Sequence, residues 1–154
     1  VGGPNSLRGF LIREIGPGSY VDTTGGRYDP QTGPQKTNTG FFNQTGDIKL
    51  EANVEYRFDI YRWFKGAIFA DAGNVWTIRK DTRVGGNFDF QRFWSEFAVD
   101  AGAGLRLDFS FFIIRLDYGF PLRDPRRVEG RRWQFQNGQA FKLGQFQLAI
   151  NMPF

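Results

Sequence analysis

The chain has no cysteine and no histidine. Without cysteine there are no disulfides and no thiol chemistry. Without either residue the usual zinc ligands are missing, and so is imidazole acid–base catalysis. Only four serines occur, Ser6, Ser19, Ser95 and Ser110, none in a Gly-x-Ser-x-Gly setting. A catalyst built here would rest on carboxylates alone, so an enzyme is not expected, and neither is a cofactor. Long apolar runs are also lacking. Phe111-Phe-Ile-Ile114 is about the longest, far short of the roughly 18 residues of a spanning helix. The charge excess is modest, +4 from 20 basic and 16 acidic residues. The bases are scattered, apart from Arg123 to Arg132, so nucleic acid is not an expected partner. No segment reads as a signal peptide. Val1 opens in mid-motif without Met, which predicts a missing upstream part.

What the chain does have is aromatics, 18% of the residues including 18 Phe, and 20 Gly, at a negative mean hydropathy. Many rings at low average hydropathy suit a barrel in which each strand is only half apolar. The period is two almost everywhere. Across Asp47–Phe58, Ile48, Leu50, Ala52, Val54, Tyr56 and Phe58 alternate with Asp47, Lys49, Glu51, Asn53, Glu55 and Arg57. A helix with this pattern would smear charge all around. The alternation predicts strands at about 46–58, 64–76, 97–109, 112–122 and 142–154. Thirteen residues at about 3.3 Å make roughly 43 Å, or roughly 30 Å of thickness at a tilt of about 45°. Ordinary globular strands are nearer five or six residues.

The connections alternate as well. Asp59–Trp63 and the turn near Ser110 are short, whereas residues 1–45, Thr77–Glu96 and Arg123–Phe141 are long and polar. That is the asymmetry of outer-membrane barrels, and it places the C-terminus on the periplasmic, short-turn side. Rings gather near strand ends: Tyr56, Phe58, Tyr61, Trp63, Phe64, Phe109, Phe111, Phe112 and Phe154 at one rim, Trp76, Phe97 and Tyr118 toward the other. This predicts two interfacial girdles. The inward face carries Asp, Glu, Lys and Arg, which a wide wet lumen tolerates and a soluble core does not. Five strands cannot close, since such barrels need about eight or more. Arg123, Arg126, Arg127, Arg131 and Arg132 read as a solvated loop face, with lipid phosphates as the alternative.

The final stretch, Phe146-Gln-Leu-Ala-Ile-Asn-Met-Pro-Phe154, puts Phe146, Leu148, Ile150, Met152 and Phe154 on one face and polar residues on the other. The last strand of a soluble sandwich alternates in the same way, so strand length and loop asymmetry decide for the membrane.

Leu7-Arg8-Gly9-Phe10 resembles the Val/Ile-Arg-Gly-Phe/Tyr signature of the Omp85 superfamily. Gly46 to Phe58, Ala70-Asp-Ala-Gly-Asn-Val-Trp76, Gly104-Leu-Arg, Asp117-Tyr-Gly-Phe-Pro-Leu122 and the terminal Phe154 resemble that superfamily's closing strands. The wording is most similar to BamA/TamA-type surface antigens of Bacteroidota. The resemblance implies an all-β, transmembrane antiparallel barrel of sixteen strands behind periplasmic modules. This chain would be its C-terminal part, with residues 1–45 the second half of a long loop folded into the lumen.

An arginine on such a loop needs acidic partners, because a desolvated guanidinium is costly unpaired. The alternation points Glu55 and Asp71 inward, and the family pairs its loop arginine with acids at matching places. An Arg8–Glu55–Asp71 cluster is therefore expected. Gly9 would permit tight backbone and Phe10 would fill a lumen pocket. Glu55 and Asp71 as a glycosidase-like pair find no sugar site in the sequence. Gly144, Phe146, Leu148, Ile150, Met152 and Phe154 would form an insertion signal and a weak seam with the first strand, although Gln147 and Ala149 depart from that signal's usual form. The implied function is insertion of other barrels into the outer membrane. Expected partners are outer-membrane lipid, with lipopolysaccharide among it, nascent β-barrel substrates and accessory assembly subunits. A two-partner-secretion pore, the anchor of an upstream lipase domain, and a soluble ligand-binding barrel are the alternatives.

Overall fold

A strand with one charged and one apolar face is stable only where each face meets its own medium, and the sheet follows that rule throughout. The structure, a computed structural model, describes residues 1–21, 28–29, 33–34, 45–79, 82–134 and 140–151. A two-residue ladder pairs β1 (Tyr28–Asp29) with β2 (Gly33–Pro34). The main sheet holds β3 (Ile48–Tyr61), β4 (Phe64–Trp76), β5 (Ala98–Asp108), β6 (Ile113–Arg123) and β7 (Gln145–Asn151). All its pairings are antiparallel, and spatial order equals chain order. Such a meander is the wall of an up-and-down barrel. No helix among the described residues is long and apolar enough to cross a membrane, which says nothing of strands.

One face is apolar and open. Val54, Tyr56, Ile60, Ile68, Phe146, Leu148 and Ile150 are each at least half exposed. The other face is polar yet covered: Asp71, Asp100, Arg106 and Asp117 are 3% exposed or less. A water-soluble protein has these arrangements reversed. Residues 1–21 lie on the polar face. There Leu7, Phe10, Ile15 and Ala98 form a small buried apolar cluster, with Val1 packed against it. Short hairpins at Arg62–Trp63 and Phe109–Phe112 close one end of the sheet, and residues 77–97 and 124–144 form long connections at the other.

Several expected boundaries move. β3 runs on through Asp59, Ile60 and Tyr61, assigned above to a turn, with a register shift between Asp59 and Tyr61. The strand expected at 97–109 is Ala98–Asp108, and that at 112–122 is Ile113–Arg123. β7 does not begin at 142. Phe141–Leu143 is a 3-10 turn and Gly144 is its C-cap, outside the strand. The cause is Tyr118, whose hydroxyl donates to the Phe141 carbonyl at 2.8 Å. The same hydroxyl and the ring edge fill the space where a Gly144 side chain would stand, 2.1 and 2.4 Å from a Cβ built there. Met152 and Phe154 lie outside the described residues, as does most of 22–44.

Of the arginines expected on a solvated loop face, Arg131 is exposed and the others are not. Arg126 and Arg127 are 3% and 2% exposed, and Arg123 and Arg132 donate to the carbonyls of Ser95 and Phe97 across the loop end. Short arginine runs bury readily where carbonyls and carboxylates face them.

Candidate functional site

The structure brings Arg8, Glu55 and Asp71 together. Arg8 Nε and Nη2 donate to the two Asp71 carboxylate oxygens, each at 2.8 Å, and the Arg8 backbone N–H adds a third bond at 3.2 Å. Arg8 Nη1 donates to Glu55 Oε2. The guanidinium also lies over the Phe69 ring, 3.5 Å from its centroid. Fork-to-fork bonding to a carboxylate plus a ring face is a geometry that lysine cannot reproduce. Burial by itself would lower the Arg8 pKa. The bonds to Asp71 and Glu55 outweigh it and hold the pKa above its ordinary value.

Sequence reasoning found three members of a wider network. Arg106 Nη2 donates to Glu55 Oε2 at 3.0 Å, and its Nη1 to Asp117. Arg115 donates to the other Asp117 oxygen at 3.1 Å. Three guanidinium groups thus meet three carboxylates in a region where all six side chains are 15% exposed or less. Mutual neutralisation is what makes such a cluster tolerable in a covered site. Asn53 joins it by donating to Asp71 at 2.9 Å and to the Ser6 carbonyl at 3.0 Å. The same alternation, carried along each strand, puts Asn53 with Glu55, Phe69 with Asp71, and Arg106, Arg115 and Asp117 on the polar side of theirs. Parity was the available signal. A polar cavity of about 300 Å³, lined in part by Arg8, Asn53, Glu55 and Arg115, opens beside the cluster.

The loop approaches the wall backbone to backbone. A Cβ on Gly9 would stand 2.5 Å from the Asp100 Cβ and 3.0 Å from the Phe120 carbonyl carbon. A Cβ on Gly119 would stand 2.7 Å from the Arg8 carbonyl group and the Gly9 nitrogen. Both glycines are therefore there for close approach. Leu7 and Phe10 are buried on either side, at 0% and 2% exposure. From β7, the Gln147 amide donates to the Arg8 carbonyl at 3.0 Å and the Phe10 carbonyl at 3.3 Å. Phe146, Leu148 and Ile150 are remote from this network. They stand on the opposite, open face of β7.

A second clamp holds the loop nearer the long-loop end. Arg126 Nη2 donates to Glu14 Oε1 at 2.9 Å, Nη1 donates to the Glu14 carbonyl at 3.0 Å, and Asp124 takes the remaining side of the fork. Glu14→Ala is expected to free residues 11–20 while leaving Arg8 seated, because Asp124 keeps Arg126 neutralised. Limited proteolysis after Arg13 would read this. Cleavage no faster than in the wild type would refute the clamp.

Both carboxylates of the suggested glycosidase pair are occupied by Arg8. What the geometry can do is hold a loop against five strands at once. The family model described as the Omp85 superfamily domain matches residues 1–141. Neither the comparison with curated proteins nor that with solved structures finds a match. An all-β meander with an apolar outer face, an arginine-pinned inner loop and that match agree: the chain belongs to the Omp85 superfamily, a family of outer-membrane β-barrel proteins.

Proposed function

We propose that this chain is the C-terminal part of an insertase barrel, which helps other β-barrel proteins fold into the outer membrane without cofactor or covalent chemistry. The observation that carries the reading is the late start of β7, at Gln145. Its partners on β6 run only from Ile113 to Gly119, so Phe120 to Arg123 have no β7 opposite them. A bridge from Arg123 to Trp133 occupies part of that edge instead. Each missing ladder bond forgoes about 0.5–1.5 kcal/mol, so the last strand is held by less than its neighbours are. In a closed barrel its other edge would meet the first strand in a seam, and opening that seam would leave backbone groups unpaired. An edge of unpaired N–H and C=O groups is a template for an incoming strand. A substrate strand with alternating polarity would add there by β-augmentation, its apolar side already facing lipid. The Arg8 network would keep the wall behind β7 rigid while this happens. Nascent barrels, outer-membrane lipid and accessory assembly subunits are the partners of this reading.

The test is photo-crosslinking in the full-length protein. A photoreactive residue at Gln145 or Ile150 of β7 should capture the terminal strand of an unfolded barrel protein during its insertion into vesicles. The same probe at Ile68 of β4 should not. Equal capture at both places, or none at β7, would overturn the edge mechanism. Passage of a polypeptide through the lumen without capture at β7 would favour a secretion pore.

A further inference from the structure

The two rings that the sequence places at the outer membrane–water rim of β4 and β5, Trp76 and Phe97, are covered. Trp76 is fully buried. Phe88, Phe93 and Phe97 surround it at centroid distances of 5.6, 6.4 and 5.7 Å. Register decides which side of the sheet these rings occupy. Trp76 pairs with Ile48, as Ala70 pairs with Val54 and Ile68 with Tyr56. Directly opposed residues point to one side, so Trp76 belongs to the apolar outer face. Ala98 is the partner of inward-facing Gly73; Phe97, one residue earlier, is outward. The connection between β4 and β5 therefore folds its rings onto the lipid side of the sheet, at the long-loop end.

The outermost members are Phe90, 79% exposed, and Trp94, 72% exposed. Neither is loosely held. Phe90 lies 5.0 Å from Phe88 and Trp94 lies 4.3 Å from Phe93, between ring centroids. The backbone beneath them is fixed by bonds from the Arg92 and Phe93 nitrogens to the Asp89 carbonyl. The Trp76 indole N–H donates to Glu96 at 2.7 Å, and Arg123 holds the Ser95 carbonyl at 2.6 Å. Arg92 lies between the two in sequence and pairs with Asp89 at 3.3 Å, its side chain about half exposed. Large exposed rings fixed in place, with a cation in the same segment, are costly in water and mark a contact surface.

We propose that residues 88–97 are a lipid-contacting surface, with Phe90 and Trp94 seated in the headgroup layer and Arg92 meeting headgroup phosphates. Lipid is the occupant that fits. The patch joins the outward side of β4 through Trp76, and indole rings partition to the membrane interface. A guanidinium pairs with phosphate in the same layer. The effect is to carry the apolar band past the strand ends, onto a folded connection. This inference does not depend on the insertase reading.

Spin labelling of the full-length protein in phosphatidylethanolamine–phosphatidylglycerol vesicles tests it. Labels go on Trp94→Cys, on Ile68→Cys as a lipid-facing reference, and on Glu129→Cys as an exposed-loop reference. The ratio of oxygen to polar nickel-chelate collisions at 94 should exceed that at 129 and fall short of that at 68, as a headgroup-level site requires. A ratio equal to that at 129 would overturn the proposal. So would exclusion of both reagents, which would mean that a polypeptide covers the patch. Phe90→Cys gives the same reading should Trp94→Cys fail to fold.

Discussion

Arg8→Ala is expected to unseat the loop while the five strands remain formed. The substitution removes three charged side-chain hydrogen bonds at once and leaves Asp71 and Glu55 facing each other without their shared cation. Breaking one side of a buried ion pair costs about 3–5 kcal/mol. On a local docking equilibrium that is a shift of roughly two to four powers of ten. The loss is confined to the loop, because the strand ladders do not pass through Arg8. Heat-modifiable migration on gels should therefore persist, while proteolysis within residues 1–20 accelerates by orders of magnitude. Arg8→Lys should recover only part of the loss: an ammonium restores charge but cannot bond Asp71 through two nitrogens and reach Glu55 as well. Unchanged proteolysis in Arg8→Ala would refute the pin.

Gly119→Ala is the second large effect, and it tests the same docking without touching a charge. The added methyl carbon would stand 2.7 Å from the Arg8 carbonyl and the Gly9 nitrogen, both backbone atoms that no side-chain rotation can move aside. Overpacking of this kind costs about 1–3 kcal/mol, and Gly119→Val should exceed that. Both substitutions break one contact, so the double variant Arg8→Ala, Gly119→Ala should lose much less than the sum of the two. Additive losses in loop proteolysis would mean that Gly119 serves the strand and not the loop.

The charged half of the site was legible because the period of two is nearly unbroken. Once Glu55 and Asp71 are assigned inward, Arg106, Arg115 and Asp117 follow by parity, and the loop motif supplies the opposing cation. Contacts that depend on the third dimension were not legible. Nothing in the alternation says that Gly119, rather than Gly102 or Gly104, lies under the loop backbone. Glu14 and Arg126 are separated by more than a hundred residues, and their pairing needs the long connection to fold inward. The start of β7 was misplaced for a local reason. Lys142 and Gly144 continue the alternation on paper, but the Tyr118 hydroxyl captures the Phe141 carbonyl and turns the chain before the strand begins. Trp76 was misread because its cover comes from a connection whose polar composition gave no sign of packing rings onto the outer face.

The seated loop also acts as a register gauge. It touches Asn53 and Glu55 on β3, Phe69 and Asp71 on β4, Asp100 on β5, Gly119 on β6 and Gln147 on β7. A slip of one residue on any of these strands turns its contact outward. A slip of two keeps the face but displaces the contact by about 6.6 Å, beyond hydrogen-bond reach. The seated loop is therefore conditional on correct pairing of the whole sheet: it closes only on a wall whose five strands are all in step.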